Sequence, residues 1–348
     1  MGRRAFLRTA TAVLAAGGWS CRPPVTEPAP RPGVRFGLLA DCHYADAPTA
    51  GSRFYRDSLP KLDEAVGVMN AERVDFLVEL GDFKDQAAPA VETETLGFLR
   101  AIEGRLRRFE GPTYHVLGNH DADSISKGQF LANVVNTGIG AGRSYYSFDV
   151  GGVHFVVLDA NYRTDGADYD HGRFDWRDAN VPPSQLQWLQ EDLGGARGIG
   201  DVAMQHGHAC PGRSEWDAHA TVRTGLACDP AAGRPTIVFI HQLLDGEGDY
   251  YVKNAADVRA ILEASGRVLA VFQGHHHQGG YSHINGIHYC TLNAVVEGPH
   301  PAHNAFAVVE VAANLNIRVT GYRNTPSRIL DSVGGVRGEL PLHCNAGT

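Results

Sequence analysis

Five apolar runs, each ending in a cluster of carboxylate, amide or imidazole side chains, set the tightest limit on how this chain folds. The runs are Gly33–Ala40, Val74–Leu80, Thr113–Leu117, Thr236–Ile240 and Val268–Gln273. Each is short and bounded by turn residues, the pattern of a strand buried on both faces. The clusters that follow them are Asp41-Cys42-His43, Gly81-Asp82 with Asp85, Gly118-Asn119-His120-Asp121, His241, and Gly274-His275-His276-His277. In an open α/β sheet the ligand crevice lies beyond the carboxyl ends of the strands. Five such ends deliver their polar groups to one place, and groups of this kind converge on a pair of divalent metal ions. The Asp-x-His and His-x-His spacings suit a strand end, where residues i and i+2 share a side and leave Cys42 and His276 pointing elsewhere.

Between the strands the pattern turns helical. Ser52–Asn70 carries Leu59, Leu62, Val66 and Met69 at helical spacing, and Glu92–Phe109 repeats it with Leu96, Leu99, Ile102 and Leu106. That alternation predicts a parallel βαβαβ unit. Tyr145–Val150 and Val153–Leu158, joined by Gly151-Gly152, read as a hairpin. Ser184–Leu193 reads as a short helix between Pro182-Pro183 and Gly194-Gly195. From His283 onward only strands are expected. Ile287–Leu292, Ala305–Val311 and Ile317–Tyr322 suggest an antiparallel sheet packed against the parallel one. Residues 34–325 read as one domain and residues 326–348 as a loose tail. Within it, residues 198–233 do not fit the periodic scheme and read as an inserted surface loop. Its His206-Gly207-His208-Ala209-Cys210 string lacks a fourth ligand at suitable spacing.

The ordered set D-x-H, GD-x-x-D, GNH[D/E], H, GH-x-H resembles the signature of the calcineurin-like metallophosphoesterases, from roughly Val34 to Arg328. The stretch from Gly274–Tyr281 through Gly286-Ile287-His288, Thr291-Leu292 and Glu297 to Asn304-Ala305-Phe306 is narrower. It is similar to the branch containing the manganese-dependent ADP-ribose/CDP-alcohol diphosphatases and their bacterial relatives. The resemblance implies an α/β fold, a sandwich of two mixed β-sheets flanked by helices. It implies two divalent cations, Mn, Fe, Zn or Co, one held by Asp41, His43 and His277 and the other by Asn119, His241 and His275, with Asp82 shared. It places His120 beside the phosphate as the catalytic imidazole, with Asp121 as its orienting partner and Asp85 in an outer role or as a helix cap. The implied reaction is in-line attack on phosphorus by a hydroxide held between the cations. One departure stands out: where the family often has a residue and then proline after the lone histidine, this chain has Gln242-Leu243-Leu244.

The rest of the sequence narrows the setting. Gly2-Arg3-Arg4-Ala5-Phe6-Leu7, a short apolar stretch and then small residues read as a twin-arginine export signal over residues 1–20, followed by a Pro-rich linker over 21–33. Export would place the protein in the periplasm or outside the cell. Cys21 is either a lipidated first residue, and so a membrane tether, or lies just past a simple cleavage site. Oxidising conditions there would permit a Cys210–Cys228 pairing. The net charge is −8, and losing the leader's three arginines takes it to −11. Such an acidic surface offers no footprint for nucleic acid, so a small phosphorylated substrate has to be drawn in by the metals. Phosphodiesters including cyclic nucleotides, nucleoside-diphosphate linkages and phosphomonoesters all suit such a site, and the carboxyl-terminal stretch points to diester or diphosphate cleavage. A non-catalytic exported metal- or phosphate-binding protein is the reading from another class, and His120, which ligates nothing in this scheme, argues against it. His115, His154, His219 and His343 read as ordinary core or surface histidines and His276 as solvent-facing. Loop Asn161–Val181, with Tyr169, His171 and Trp176, is a candidate wall of the substrate pocket.

Overall fold

The computed structural model describes residues 32–194, 233–331 and 335–336. The leader and linker, Cys21, most of the inserted loop with His206–Cys210, His219 and the Cys210–Cys228 pair, and His343 lie outside the described residues. No helix among the described residues is long and apolar enough to cross a membrane.

The first half builds the expected parallel unit. Strands β1 (Pro32–Leu39), β2 (Phe76–Glu79) and β3 (Thr113–His115) pair in parallel, with α1 (Ser58–Ala71) and α2 (Glu92–Leu106) as the connections. Helix α1 buries Leu62, Ala65, Val66 and Met69, the face its periodicity defines, against the side of the sheet carrying Leu39 and Leu77. A short helix α3 (Lys127–Asn133) joins that layer, opened by a reciprocal capping box between Ser126 and Gln129.

The hairpin of β4 (Tyr146–Val150) and β5 (Val153–Val157) opens a second sheet. Strands β5, β6 (Thr236–Phe239) and β7 (Val268–Gln273) run in parallel, with α4 (Pro183–Gly194) and α5 (Ala255–Ser265) outside them. The remaining strands are β8 (Gln278–Ile284), β9 (Ile287–Asn293), β10 (Ala305–Ala312), β11 (Ile317–Arg323), β12 (Arg328–Asp331) and β13 (Gly335–Val336). They do not form the separate antiparallel sheet that their alternation suggested. β9 adds in parallel to β7, with β8 at the edge, whereas β10 adds antiparallel to β1 and carries β11 to β13 beyond it. Each sheet is therefore mixed, one of seven strands and one of six. The architecture is the sandwich with outer helices that the motifs implied. β12 and β13 lie within residues 326–348, so part of the expected tail is strand.

The two sheets meet in an aromatic seam. Phe36 of β1 stacks on Phe76 at 5.1 Å and meets Phe155, Phe239 and Phe272 of the opposite sheet edge-on at 5.5–6.0 Å. These fully buried rings bring large apolar area and favourable edge geometry to one place, fixing the sheets face to face. The carboxyl ends of β1, β2, β3, β6 and β7 all reach the same rim of this seam, as the loop contacts below show.

Away from that rim, His154 on β5 ties the layers of the second sheet together. Its Nδ1 lies 2.8 Å from Asp149 of β4 and its Nε2 2.9 Å from Asp192 of α4. Burial opposes its charge, but the two carboxylates win and raise its pKa to about 9. A raised folded pKa stabilises fully below the unfolded value near 6.5 and is lost as pH climbs through about 9. With solvent screening at this partly exposed site, the two contacts stabilise the fold by about 1 kcal/mol. His154→Gln is expected to lower Tm by a few degrees at pH 6 and to have no effect at pH 10. Equal losses at both pH values in a melting series would contradict this.

Candidate metal centre

The ligand side chains converge through turns just past the strand ends, not through strand alternation. Asp41, His43, Asp82 and His275 all adopt left-handed backbone conformations, with φ of 55°, 46°, 54° and 67°. Such conformations are costly for residues with a Cβ and persist where surrounding contacts over-determine them. Here the contacts are backbone bonds between neighbouring loops. Asp41 N–H donates to Gly81 O and His43 N–H to Asp82 O, while His275 N–H donates to both oxygens of the Asp41 carboxylate at 3.1 Å. Cys42, between the two ligands, turns away into the helix-facing core. The glycines ahead of the ligands are required by space. A Cβ on Gly118 would lie 2.2 Å from the Asp82 backbone nitrogen, and one on Gly81, at φ +98°, would lie 2.6 Å from the His241 ring.

Two groups of ligand atoms result. Asp41, His43 and His277 come together on one side, and Asp82, His241 and His275 on the other. The first group closes where His43 Nε2 and His277 Nε2 face each other at 3.1 Å, with Asp41 Oδ1 at 3.8 and 3.7 Å from them. Asp82 Oδ2 lies 3.1 Å from His241 Nε2 and 3.6 Å from His43 Nε2, so one carboxylate oxygen faces both groups. Asn119 lines the same cavity. Asn119 Oδ1, His241 Nε2 and His275 Nε2 are buried and have no hydrogen-bond partner. Orphaned lone pairs at a mixed N/O site are what a divalent cation satisfies, and the donor set fits a pair of them.

The backs of the rings are anchored as metal-binding imidazoles usually are. His241 Nδ1–H donates to Leu80 O at 2.8 Å, and His277 Nδ1 lies 2.6 Å from Glu297. His43 Nδ1 lies 3.4 Å from Asp85. Burial and the neighbouring His241 push the His275 pKa down to about 3, which keeps that ring neutral with a lone pair to give. Burial opposes ionisation of Asp82, but His241, His120 and His43 outweigh it and hold its carboxyl well below the usual range.

His120 lines the cavity, and its backbone N–H donates to Asp82 Oδ1 at 2.7 Å. Its ring also falls within ligating distance of His43 and Asp82. The expected partner is wrong. Asp121 does not touch the His120 ring; its carboxylate accepts the backbone N–H groups of Gly118, Asp82 and Phe83 at 2.9–3.0 Å. It therefore clamps the Asp82 loop to the Asn119 loop, a structural task. The ring is oriented by Asp85 and Asp123, 3.3 and 3.7 Å from Nδ1, with the buried Lys84 ammonium holding Asp123 in place. Asp85 caps no helix and sits between His43 and His120.

Residues that the sequence did not single out complete the cavity of about 390 Å³. Arg53 enters beside Asp85, at 3.8 Å, and pairs through its backbone with Glu297. Of the candidate loop, only Trp176 reaches the cavity. Tyr169 is buried and stacked on Phe174, and His171 pairs with Asp170. The unexpected second aromatic is Tyr250. Buried Leu243 and Leu244 fold the loop after His241 back on itself, with Leu243 N–H donating to Tyr250 O at 3.2 Å. Trp176 and Tyr250 both pack 5.5 Å from the His275 ring, and His276, half-exposed, packs on Tyr250.

Paired cation sites sharing one carboxylate, with an independently oriented imidazole beside them, define a dinuclear metal-dependent hydrolase. Residues 34–279 match the calcineurin-like phosphoesterase family, and the chain belongs to it. Among curated relatives, the manganese-dependent ADP-ribose/CDP-alcohol diphosphatase of Oryza sativa subsp. japonica is 30% identical over 298 residues, covering 79% of this chain and 87% of that protein. A probable cyclic nucleotide phosphodiesterase of Fibrobacter succinogenes is 23% identical over 248 residues, covering 70% of this chain and 73% of that protein. In fold the chain is similar to a dimetal phosphatase from Danio rerio, with a TM-score of 0.67 at 21% identity, covering 86% of this chain and 99% of that one.

Proposed function

We propose that this protein hydrolyses the diphosphate bond of small nucleotide-like molecules, with manganese as the working cation. The observation that carries the reading is the pair of unlike walls around the metal cavity. The Asp85 side presents Arg53, the one guanidinium among the described residues lining the cavity. The His275 side presents the rings of Trp176 and Tyr250. A simple phosphomonoester such as p-nitrophenyl phosphate engages one wall at most. A nucleoside diphosphate linked to an alcohol offers a second phosphate to the guanidinium and a flat base to the rings. The names of the plant and animal relatives point the same way.

Asp41, His43 and His277 would hold one cation and Asn119, His241 and His275 the other, with Asp82 serving both. Bound there, the cations supply an activated water and neutralise charge on the phosphoryl oxygens. The chain's own residues do the rest. Arg53 and the aromatic wall fix the diphosphate in line, and His120, aimed by Asp85 and Asp123, offers a proton to the departing phosphate oxygen. One water adds across the anhydride, giving two phosphomonoesters.

The test is a panel assay of the leader-free protein in Mn²⁺ with ADP-ribose, a CDP-alcohol, bis-p-nitrophenyl phosphate, p-nitrophenyl phosphate and cyclic AMP. ADP-ribose and the CDP-alcohol are expected to have the highest kcat/KM. Arg53→Ala should reduce kcat/KM on both by roughly 10- to 100-fold, the loss of one charge-assisted contact. Preference for the monoester or for cyclic AMP would replace this substrate assignment. Binding without turnover of any of the five would favour the non-catalytic reading.

We also propose export through the twin-arginine leader, on the strength of its Arg3-Arg4 pair followed by the apolar and small-residue segments. Retention of a leader-bearing fusion inside cells that lack twin-arginine transport is the expected outcome.

A further inference from the structure

Next to the metal cavity lies a second cleft of about 660 Å³, floored by β8 and the ends of β9 and β11. Gln278 follows the ligand His277 directly and lines both spaces, so the two adjoin. The chemistry of the cleft is unlike that of the surface around it. In a chain with 39 acidic and 31 basic residues, its charged lining residues are two arginines, with no carboxylate. Its other polar groups are the amides of Gln278, Asn293 and Asn324 and the hydroxyl of Ser327. Arg323 is committed to Glu64 by contacts of 2.7 and 2.8 Å and contributes potential more than donors. Arg328 is different. Its guanidinium carbon lies 5.1 Å from the Tyr281 ring centroid, a cation–π contact that steadies the group without using its N–H donors.

We propose that this cleft binds the half of the substrate beyond the scissile diphosphate: a hydroxyl-rich sugar or alcohol, with Arg328 as the principal donor to its hydroxyl groups and, after cleavage, to the phosphate it carries away from Arg53. The inference rests on the diphosphatase reading and deepens it. Stacked rings hold the base, the metal cavity holds the reacting phosphate, and the amides and guanidinium hold what departs. A cleft of neutral amides suits hydroxyl groups, which donate and accept, and freedom from carboxylates lets a phosphorylated alcohol settle there in an otherwise acidic protein.

The experiment compares the manganese-loaded wild type with Arg328→Ala, Arg328→Glu and Asn324→Ala, on ADP-ribose and on p-nitrophenyl phosphate, which needs the metal cavity alone. Arg328→Ala is expected to raise KM for ADP-ribose roughly tenfold more than KM for the nitrophenyl ester, the scale of one charged hydrogen bond. Arg328→Glu should exceed it and Asn324→Ala should show a smaller shift of the same sign. Competitive inhibition by ribose 5-phosphate should weaken in parallel. A wild type that cleaves both substrates, with Arg328→Glu leaving their KM ratio and the inhibition unchanged, overturns the cleft and spares the diphosphatase reading. A wild type that cleaves only the nitrophenyl ester overturns that reading first.

Discussion

Asp82→Asn is expected to lower kcat on every substrate by at least ~10³-fold and to leave the protein with one bound metal equivalent or fewer. The reason is the position of a single oxygen. Asp82 Oδ2 faces His241 Nε2 at 3.1 Å and His43 Nε2 at 3.6 Å, while Oδ1 is occupied by the His120 N–H. An amide of the same shape keeps one acceptor and replaces the other by a donor. If its oxygen holds the His120 N–H, an NH₂ group points at both imidazoles. If it flips, the His120 backbone loses its acceptor. In either pose the negative charge that Asp82 would share between the two cations is gone, a loss that replacing a neutral imidazole or amide ligand would not cause. Metal analysis of the purified variant, read beside its kcat, is the check. Two tightly held equivalents would show that Asp82 is not shared.

The second large effect concerns stability and lies one layer below the site. His115 is fully buried between Glu103, at 3.2 Å, and Glu79, at 3.5 Å. Burial disfavours its charge, but the two carboxylates raise its pKa to about 10, so the ring is a cation at neutral pH. Burial in turn pushes Glu79 up to about 8. His115→Leu removes the cation and leaves two acids facing each other in the core, at a cost of about 3–5 kcal/mol. Adding Glu103→Gln should recover more than 1 kcal/mol by removing the acid nearest the vacated ring, whereas Glu79→Gln should recover less, because burial already favours the uncharged form of Glu79. Urea denaturation midpoints of the wild type, the single and the double variants give the comparison. A single-variant loss below 1 kcal/mol would mean that the three groups are not coupled. The effect should reach the site, because Glu79 Oε1 also accepts the Gly81 N–H at 2.8 Å and so holds the loop that carries Asp82.

How much of this was legible in the residues depended on how local each signal was. The five strands and the polar groups after them were plain, because an apolar run and the motif at its end are contiguous. The capping box of α3, Ser126 with Gln129, is an equally local signal. β8 was not readable in the same way: it is an edge strand, largely exposed, and its Gly279-Gly280 start breaks any apolar run. The assignment of late strands to sheets depends on distant backbone contacts, such as Val295 N–H to Ala40 O at 3.0 Å, which joins the chain after β9 to the end of β1. Proximity in sequence misled at Asp121. Standing beside His120, it is the natural partner, yet the backbone turns its carboxylate toward four N–H groups and leaves the ring to Asp85 and Asp123. Tyr250 stayed hidden because nothing near it in the chain marks a site. Its place follows from the burial of Leu243 and Leu244, which turns the loop back so that Leu243 N–H meets Tyr250 O.

The division of ligands between layers has its own consequence. Asp41, His43, Asp82 and Asn119 hang from one sheet and His241, His275 and His277 from the other, with the Phe36 cluster packed between. The candidate centre therefore spans both sheets, and the packing of those rings holds its two sets of donors face to face. Changing the bulk of that aromatic filling is expected to shift the two donor sets relative to one another without replacing a single donor.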